Sequence, residues 1–353
     1  GMITLNHLRC EYAHNPLGVD TPRPRLSWVL EHPQRGQRQT ACQILAASSL
    51  DELAAGRADR WDSGKMITGD SLLVEYAGQP LASGERIYWQ VRAWDAGDVP
   101  GPYSQPAFFE MGLLHPQDWK AEWIGFPAGW NGKALYFRNE FKLEKPVHRA
   151  RAYVAGLGYY ELRLNGQKVG DRVLDPGWTD YSRRVLYATY DIGPYLGEGR
   201  NVVGVILGNG WYGSPRLLMQ IRIDCNDGTT FWILTGKQGQ GGSWWRVTSG
   251  PILENSIYGG DVYDARLEKP GWDSPLEEQP HPQHFDVWSG AMIVDPPGGR
   301  LVSQMIEPIR VVQTLSPQAI EQPMPNVYVF DFGQNFAGWV RLRVQGERGR
   351  QIT

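Results

Sequence analysis

Short runs of alternating apolar and polar residues, each about five to eight residues long and closed off by Gly, Pro, Asn or Asp, recur along almost the whole chain. They are Leu5–Tyr12, Arg25–Leu30, Gln43–Ala47, Tyr88–Trp94, Tyr136–Phe141, Ala150–Val154 and Tyr160–Leu164, followed by Leu186–Tyr190, Asn201–Leu207, Leu217–Ile223, Thr230–Leu234, Trp244–Thr248, Tyr328–Asp331 and Trp339–Val344. A period of two sends successive side chains to opposite faces, so such runs fold as half-buried strands. One segment, Ser49–Ala55, reads as a helix: Ser49 and Glu52 have capping-box spacing, and Gly56 ends it. Asn165-Gly166 and Asp227-Gly228 sit between runs, and both dipeptides favour two-residue hairpin turns. Strands at this density with one short helix predict an all-β chain of tandem β-sandwiches.

Length and composition narrow the function classes. A chain of 353 residues exceeds one ordinary domain, and about 150 residues per domain gives two to three. Gly (42) and Pro (25) together stay below the roughly 25–30% that marks low complexity. Aromatic residues make up 12% of the chain, with 15 Trp among them, which is enough apolar ring surface for more than one core. Most of these rings are expected in sandwich cores, Trp28, Trp61, Trp89 and Trp94 among them. The 35 basic and 38 acidic residues give a net charge of −3 without a charge block. A nucleic-acid partner is therefore not expected, since it calls for a basic stripe. No apolar run approaches about 18 residues, so no membrane partner is expected either.

Gly1 ahead of Met2 reads as the remnant of a cleaved tag. The residues after it lack the cationic start and apolar stretch of a secretion signal, and no N-x-S/T sequon occurs, which points to a cytoplasmic address. Cys10, Cys42 and Cys225 are too few and too far apart for a disulfide framework or a metal knuckle, and are expected reduced and buried. Strand patterning lapses at three places. Residues 2–112 form a first unit, 113–135 a connector with one strand in HPQDWKAEWIG, and 136–300 a second unit. The third, 301–353, ends in a strand pattern that looks cut short, and no internal repeat is found.

Several long motifs occur in a fixed order. The first unit carries CEYAHNPLGVDTPRPRLSW (10–28), QTACQILAASS (39–49) and IYWQVRAWD (87–95). The second carries VAGLGYYELRLNGQKVGDRVLDPGWTDYSRRVLYATYDI (154–192) and VILGNGWYGS (205–214). Then come SIYGGDVYDARLEKPGWD (256–273), MIEPIRV (305–311) and VYVFDFGQNFAGWVRLRV (327–344). From Leu5 to Thr353 the chain resembles the N-terminal half of bacterial α-L-rhamnosidases, which are inverting glycoside hydrolases.

The resemblance implies a fibronectin-III-like sandwich, then a jelly-roll, carbohydrate-binding-like domain, then an incomplete β-sandwich. In the family an (α/α)6 barrel holding the catalytic carboxylates follows. In some relatives the jelly roll is inserted into the further sandwich, and that precedent implies that the connector strand near Trp119–Ile124 belongs with 301–353. The dozen long amphipathic helices of a barrel have no counterpart in these residues. The family's general acid and base therefore have no positions to be carried onto, and no catalytic residue is assigned. The function implied is that of a non-catalytic portion that scaffolds the barrel or binds rhamnose-containing glycosides. A stand-alone carbohydrate-binding module is one alternative, and a structural scaffold or homodimerisation module another.

Sugar recognition combines an aromatic ring against the C–H face of a pyranose with Asp, Asn or Arg partners for its hydroxyls. Two Gly-containing loops hold those residue types: Trp178, Asp180, Tyr181 and Arg184 in one, Asn209, Trp211 and Tyr212 in the other. Against this stands the reading in which Trp178 and Trp211 plug the core and Asp180 ties off a turn. Some family jelly rolls bind rhamnose through calcium, and Asp180 with the Asn209 carbonyl offers part of such an oxygen set. No other cofactor is expected.

Other motifs resolve to structure. Asp171, Asp175 and Asp180 are dense, but Asp175-Pro176-Gly177 reads as a turn. Asp331-Phe332-Gly333 lacks every other kinase element and sits in a strand–turn–strand pattern. Gly236–Gly242 precedes a strand instead of a helix, so it reads as a hairpin loop and not a phosphate loop. His281 and His284 have no further ligand nearby, and no GxSxG elbow occurs.

Overall fold

The structure, a computed structural model, describes residues 1–126, 132–210, 214–236, 244–275 and 288–353. Its first unit is two sheets face to face. Thr4–Cys10, Arg25–Glu31 and Val74–Glu75 form one, and Trp61–Asp62, Ala41–Ala47, Arg86–Trp94 and Ala107–Glu110 form the other in that spatial order. Alternation does the work expected of it: Ile87, Trp89, Val91 and Ala93 of one strand all point into the core. There Trp89 meets Trp28 at 6.5 Å between ring centroids, and the Trp28 indole N–H donates to Gln39 Oε1 at 3.0 Å. The helix forms at Leu50–Ala54, where Ser49 Oγ accepts the Glu52 N–H at 3.1 Å.

The second unit stacks a seven-stranded sheet on a six-stranded one. The first runs Met292–Ile293, Ile124–Gly125, Arg216–Cys225, Val147–Leu157, Arg184–Asp191 and Arg300–Ser303, with Thr230–Leu234 also on Arg216–Cys225. The second runs Gln167–Lys168, Tyr160–Leu164, Gly199–Leu207, Leu135–Leu143, Arg246–Ser249 and Ser289–Gly290. Val154, Met219 and Ile221 from one sheet and Phe137, Val203 and Val205 from the other make the core between them. All three cysteines are free and buried.

Several expectations change here. The connector strand Ile124–Gly125 pairs with Arg216–Cys225 and Met292–Ile293, inside the second unit, and not with 301–353. Lys120 N–H donating to Gln220 Oε1 at 2.7 Å and Gln220 Nε2 donating to Asp118 O at 2.9 Å bind the rest of the connector to the same sheet. Arg300–Ser303 and Ile309–Arg310 likewise still pair with this unit. Asn165-Gly166 makes the expected two-residue turn, with φ of 49° and 81°. Asp227-Gly228 instead lies in a three-residue loop, because Cys225 N–H reaches Thr229 O at 2.8 Å and one extra residue is looped out. The strands flanking Gly236–Gly242 belong to opposite sheets, so they are not hairpin partners; residues 237–243 lie outside the described residues.

The outer face of the seven-stranded sheet is taken up by the first unit and the connector. Trp119 packs edge-on against Tyr187 at 5.2 Å, beside Tyr153, Trp123 and Leu218. Glu110, 1% exposed at the end of the first unit, takes Arg151 Nε at 2.7 Å and Nη2 at 3.0 Å from the second. Gly112 allows the approach, since a Cβ there would stand 2.4 Å from the Tyr187 hydroxyl.

Beyond Arg310 the described residues form one further sheet, the two-stranded hairpin Ala319–Met324 and Val327–Asp331. Trp339–Val344 is not a strand, and its Trp339, Val340, Leu342 and Val344 side chains are exposed. A run of this pattern needs a sheet to pair with and a core to face, and the described residues offer neither.

Candidate functional site

The loop after Arg172–Val173 is fixed from beneath by a buried carboxylate. Asp175 is 4% exposed. Its Oδ1 accepts Gln304 Nε2 at 2.9 Å and its Oδ2 accepts the Tyr190 hydroxyl at 3.3 Å. Tyr160 joins its hydroxyl to that of Tyr190 at 3.0 Å, and burial raises the pKa of both phenols. Gln304 Oε1 then accepts the Gly177 N–H at 3.1 Å, so the residue before Trp178 is pinned to the sheet.

From that anchor the loop turns outward. Trp178 is 69% exposed, which overturns the core-plug reading of this ring. Thr179 Oγ1 donates to Arg184 O at 2.9 Å and closes the turn. Asp180 Oδ1 accepts both the Ser182 N–H at 3.1 Å and its hydroxyl at 2.6 Å, and these bonds hold the carboxyl below the usual carboxylate range. Arg184 is exposed where its strand begins. Tyr181 differs from the expectation: at 2% exposure it packs with Trp123 and Tyr187, out of reach of a ligand. It lies in the turn ahead of Arg184–Asp191, where the Arg183 and Arg184 N–H groups donate to Asp180 O, and the turn folds its ring back onto the sheet.

Asn209 belongs to a separate network. Its N–H donates to Asn255 Oδ1 at 2.6 Å, and its Nδ2 donates to Gly132 O at 3.0 Å and Asn255 O at 3.1 Å. Its Oδ1 is buried without a hydrogen-bond partner among the described residues. Trp211 and Tyr212, like His281 and His284, lie outside the described residues. Asn255→Ala is expected to cost about 1–3 kcal/mol, since it strips partners from buried polar groups of this loop; urea unfolding checks it.

Asp180 and Asn209 thus belong to two separate hydrogen-bond networks. Calcium takes about six to eight oxygens; Asp180 Oδ1 accepts from Ser182, and Asn209 meets Asn255 through its N–H groups. Among the described residues no group of three or more His, Cys, Asp or Glu side chains converges. Nor do the three aspartates make a hydrolytic pair: Asp171 is bonded to Arg310 at 2.8 Å, Asp175 is enclosed, and Asp180 ties a turn. Among the described residues no helix is long and apolar enough to cross a membrane.

Reading from sequence also missed a group of rings. Among the described residues Trp28, Trp89, Trp94, Trp123 and Trp245 are buried and Trp61 and Trp119 pack partly buried against the cores, whereas Trp178, Trp244 and Trp339 are exposed. Trp272 and Trp288 are half-buried and stacked on each other over the six-stranded sheet. The Pro-Gly-Trp-Asp string at 270–273 was the available signal, a turn presenting an aromatic ring beside a carboxylate.

The fold defines a tandem of β-sandwiches, and among its described residues Asp171, Asp175 and Asp180 make no hydrolytic pair. Three family descriptions match along the chain: a Rha78A-like N-terminal immunoglobulin domain at 5–115, an alpha-L-rhamnosidase N-terminal domain at 145–313, and a bacterial alpha-L-rhamnosidase concanavalin-like domain at 321–353. The chain belongs to the bacterial α-L-rhamnosidase family, of which it is an N-terminal portion. An alpha-L-rhamnosidase of Formosa agariphila is 35% identical over 96% of this chain and 39% of its own length. The structure of the alpha-L-rhamnosidase from Dictyoglumus thermophilum matches with a TM-score of 0.85 and 39% identity, over 95% of this chain and 39% of that one. The Streptomyces avermitilis enzyme, solved in complex with L-rhamnose, matches with a TM-score of 0.82 and 25% identity, over 94% of this chain and 49% of its own. The chain thus spans well under two thirds of these relatives.

Proposed function

We propose that this chain is the non-catalytic front of an α-L-rhamnosidase, acting as a rigid support for a hydrolytic domain that releases terminal L-rhamnose. The observation that carries the reading is the junction at Glu110 and Arg151, where an ion pair, an aromatic cluster and a closely packed glycine lock two sandwiches into one body. A merely tethered pair of modules has no need of such a seam. The three-plus-four strand order of the first sandwich supports a fibronectin-III-like fold, and the six- and seven-stranded layers of the second, antiparallel except where Arg300–Ser303 joins Arg184–Asp191 in parallel, support a jelly roll. The expected result is no turnover of an aryl α-L-rhamnoside by these 353 residues; saturable hydrolysis would overturn the reading.

A second role is favoured by Trp178, a large ring held out in water on a turn pinned through Gln304. Holding the ring in place lowers the entropy lost when a sugar stacks on it. We assign this turn to contact with rhamnose-containing glycosides, with Asp180 and Arg184, both exposed along the same turn, as hydroxyl partners. Calorimetric titration with L-rhamnose is expected to give weak saturable binding that Trp178→Ala weakens about tenfold, the loss of ~1.4 kcal/mol of stacking. Unaltered heats in the variant would remove Trp178 from the site.

A further inference from the structure

Arg300–Ser303 is an edge strand of the seven-stranded sheet, and from its end the chain alternates between the first sandwich and the Trp178 turn. Ser303, 5% exposed, faces the first sandwich. Its N–H donates to Asp20 Oδ2 at 2.8 Å, and a Cβ on Gly18 would stand 3.2 Å from its hydroxyl. Gln304 faces the other way. Its Nε2 donates to Asp175 Oδ1 and its Oε1 accepts the Gly177 N–H, the two bonds that hold the turn from beneath. Met305 returns to the first sandwich, packed partly buried against its core. Ile306 lies again under the turn, where a Cβ on Gly177 would approach its Cδ1 to 3.0 Å.

An extended chain sends successive side chains to opposite sides, and here the two sides are two different structures. Gln304 N–H donating to Tyr187 O at 2.8 Å carries the pairing one residue past Ser303 and fixes which side chain faces which. The same segment also secures the approach to the turn. Ile309–Arg310 pairs with Arg172–Val173, and Arg310 Nε donates to Asp171 Oδ1 at 2.8 Å. The floor under Trp178 is therefore not supplied by the second sandwich alone. Asp20, Gly18 and the first core hold its far side.

We propose that Ser303–Ile306 is a strap through which the first sandwich positions the Trp178 turn, with Asp20 and Met305 as positioning residues for sugar binding there. This deepens the sugar-contact role assigned to the turn above and rests on it. A turn whose floor is loose loses more entropy when a ligand orders it, so a weaker hold on the strap lowers affinity. Linkage is reciprocal, and a bound sugar tightens the strap in return. The first sandwich thereby takes part in recognition without contributing a residue to the turn itself.

Hydrogen exchange of residues 174–182, read by mass spectrometry on the full chain, and calorimetric titration with L-rhamnose test the strap together. Gln304→Ala is expected to speed exchange of the turn about tenfold, the loss of one hydrogen bond. Asp20→Ala and Met305→Ala are expected to speed it severalfold and to weaken L-rhamnose about fivefold, the low end of coupling between linked sites. Asp20→Asn keeps an acceptor for the Ser303 N–H and Met305→Leu keeps the apolar volume, so both are expected to restore wild-type exchange and affinity. Exchange in Arg216–Cys225, on the same sheet but away from the strap, is expected to stay at the wild-type rate. Unchanged exchange of the turn in Asp20→Ala and Met305→Ala would overturn the strap, and so would equal acceleration throughout the second sandwich. Faster exchange with undiminished L-rhamnose affinity would overturn the positioning role. Absence of L-rhamnose binding in the wild type would withdraw the sugar role of Trp178 instead, and the exchange pattern would still decide the strap.

Discussion

Glu110→Ala is expected to destabilise the chain by about 3–5 kcal/mol, as removal of one member of a buried ion pair does. The carboxylate is 1% exposed and faces three guanidinium groups. Arg151 holds it at 2.7 and 3.0 Å, Arg86 at 3.2 Å, and Arg149 stands 3.6 Å away. Without it, Arg151 stays enclosed with only the half-exposed Asp191 at 3.0 Å to offset its charge, and three cations face one another across the seam. The position at the end of Ala107–Glu110, opposite Val147–Leu157, makes this loss one of coupling as well as of stability. Urea unfolding of the wild type is expected to show the two sandwiches melting together, and that of Glu110→Ala two separate steps at lower midpoints. The double variant Glu110→Leu with Arg151→Met is expected to recover much of the loss, because an apolar pair carries no desolvation penalty. An unchanged midpoint in Glu110→Ala would mean that the Trp119, Tyr153 and Tyr187 cluster alone holds the junction.

This seam was not legible in the sequence. Glu110 and Arg151 are 41 residues apart, and nothing in the local pattern around AFFEMG distinguishes a buried carboxylate from a solvated strand end. What the sequence did disclose was everything governed by neighbours along the chain. The alternation in Arg86–Trp94, the Ser49 cap and the Asn165-Gly166 turn each depend on a few consecutive residues, and each formed as expected. Sheet membership does not depend on them. Ile124–Gly125 is a two-residue strand whose sheet is decided by Arg216–Cys225 and Met292–Ile293, far along the chain, and family precedent pointed elsewhere. The candidate site divides in the same way. A ring such as Trp178 stays in water because Asp175 and Gln304, 129 residues apart, pin the chain beneath it. Trp272 escaped notice because its seat is Gly204 on a distant strand, a position that carries no pattern of its own.

Deleting residues 315–353 is expected to turn a self-associating chain into a monomer while leaving the unfolding midpoint of the two sandwiches unchanged. Among the described residues the hairpin Ala319–Met324 and Val327–Asp331 pairs only with itself, and all its side chains are exposed. Met324, Pro325, Asn326 and Val327 close it through a two-residue turn with Asn326 at φ 64°, and the bulge between Glu321 and Met324 accommodates Pro323. This turn chemistry is sound, so the strands form, but an isolated two-stranded hairpin buries too little to be stable alone. Ile320, Val327, Tyr328, Val329 and Phe330 stand in water beside two unpaired edges, and Phe336, Trp339, Val340 and Leu342 follow them. Exposed edges next to contiguous apolar side chains template pairing with another chain. Light scattering of the whole chain is expected to show concentration-dependent association that the deletion abolishes. Glu substitutions at Val329 and Leu342 are expected to weaken it without altering the fold of the sandwiches. A fall of several degrees in the midpoint on deletion would show instead that this segment packs on the second sandwich. The expected neutrality follows from the side chains themselves: what remains exposed in the folded chain contributes nothing to its stability, and its apolar surface is therefore free to bury against another.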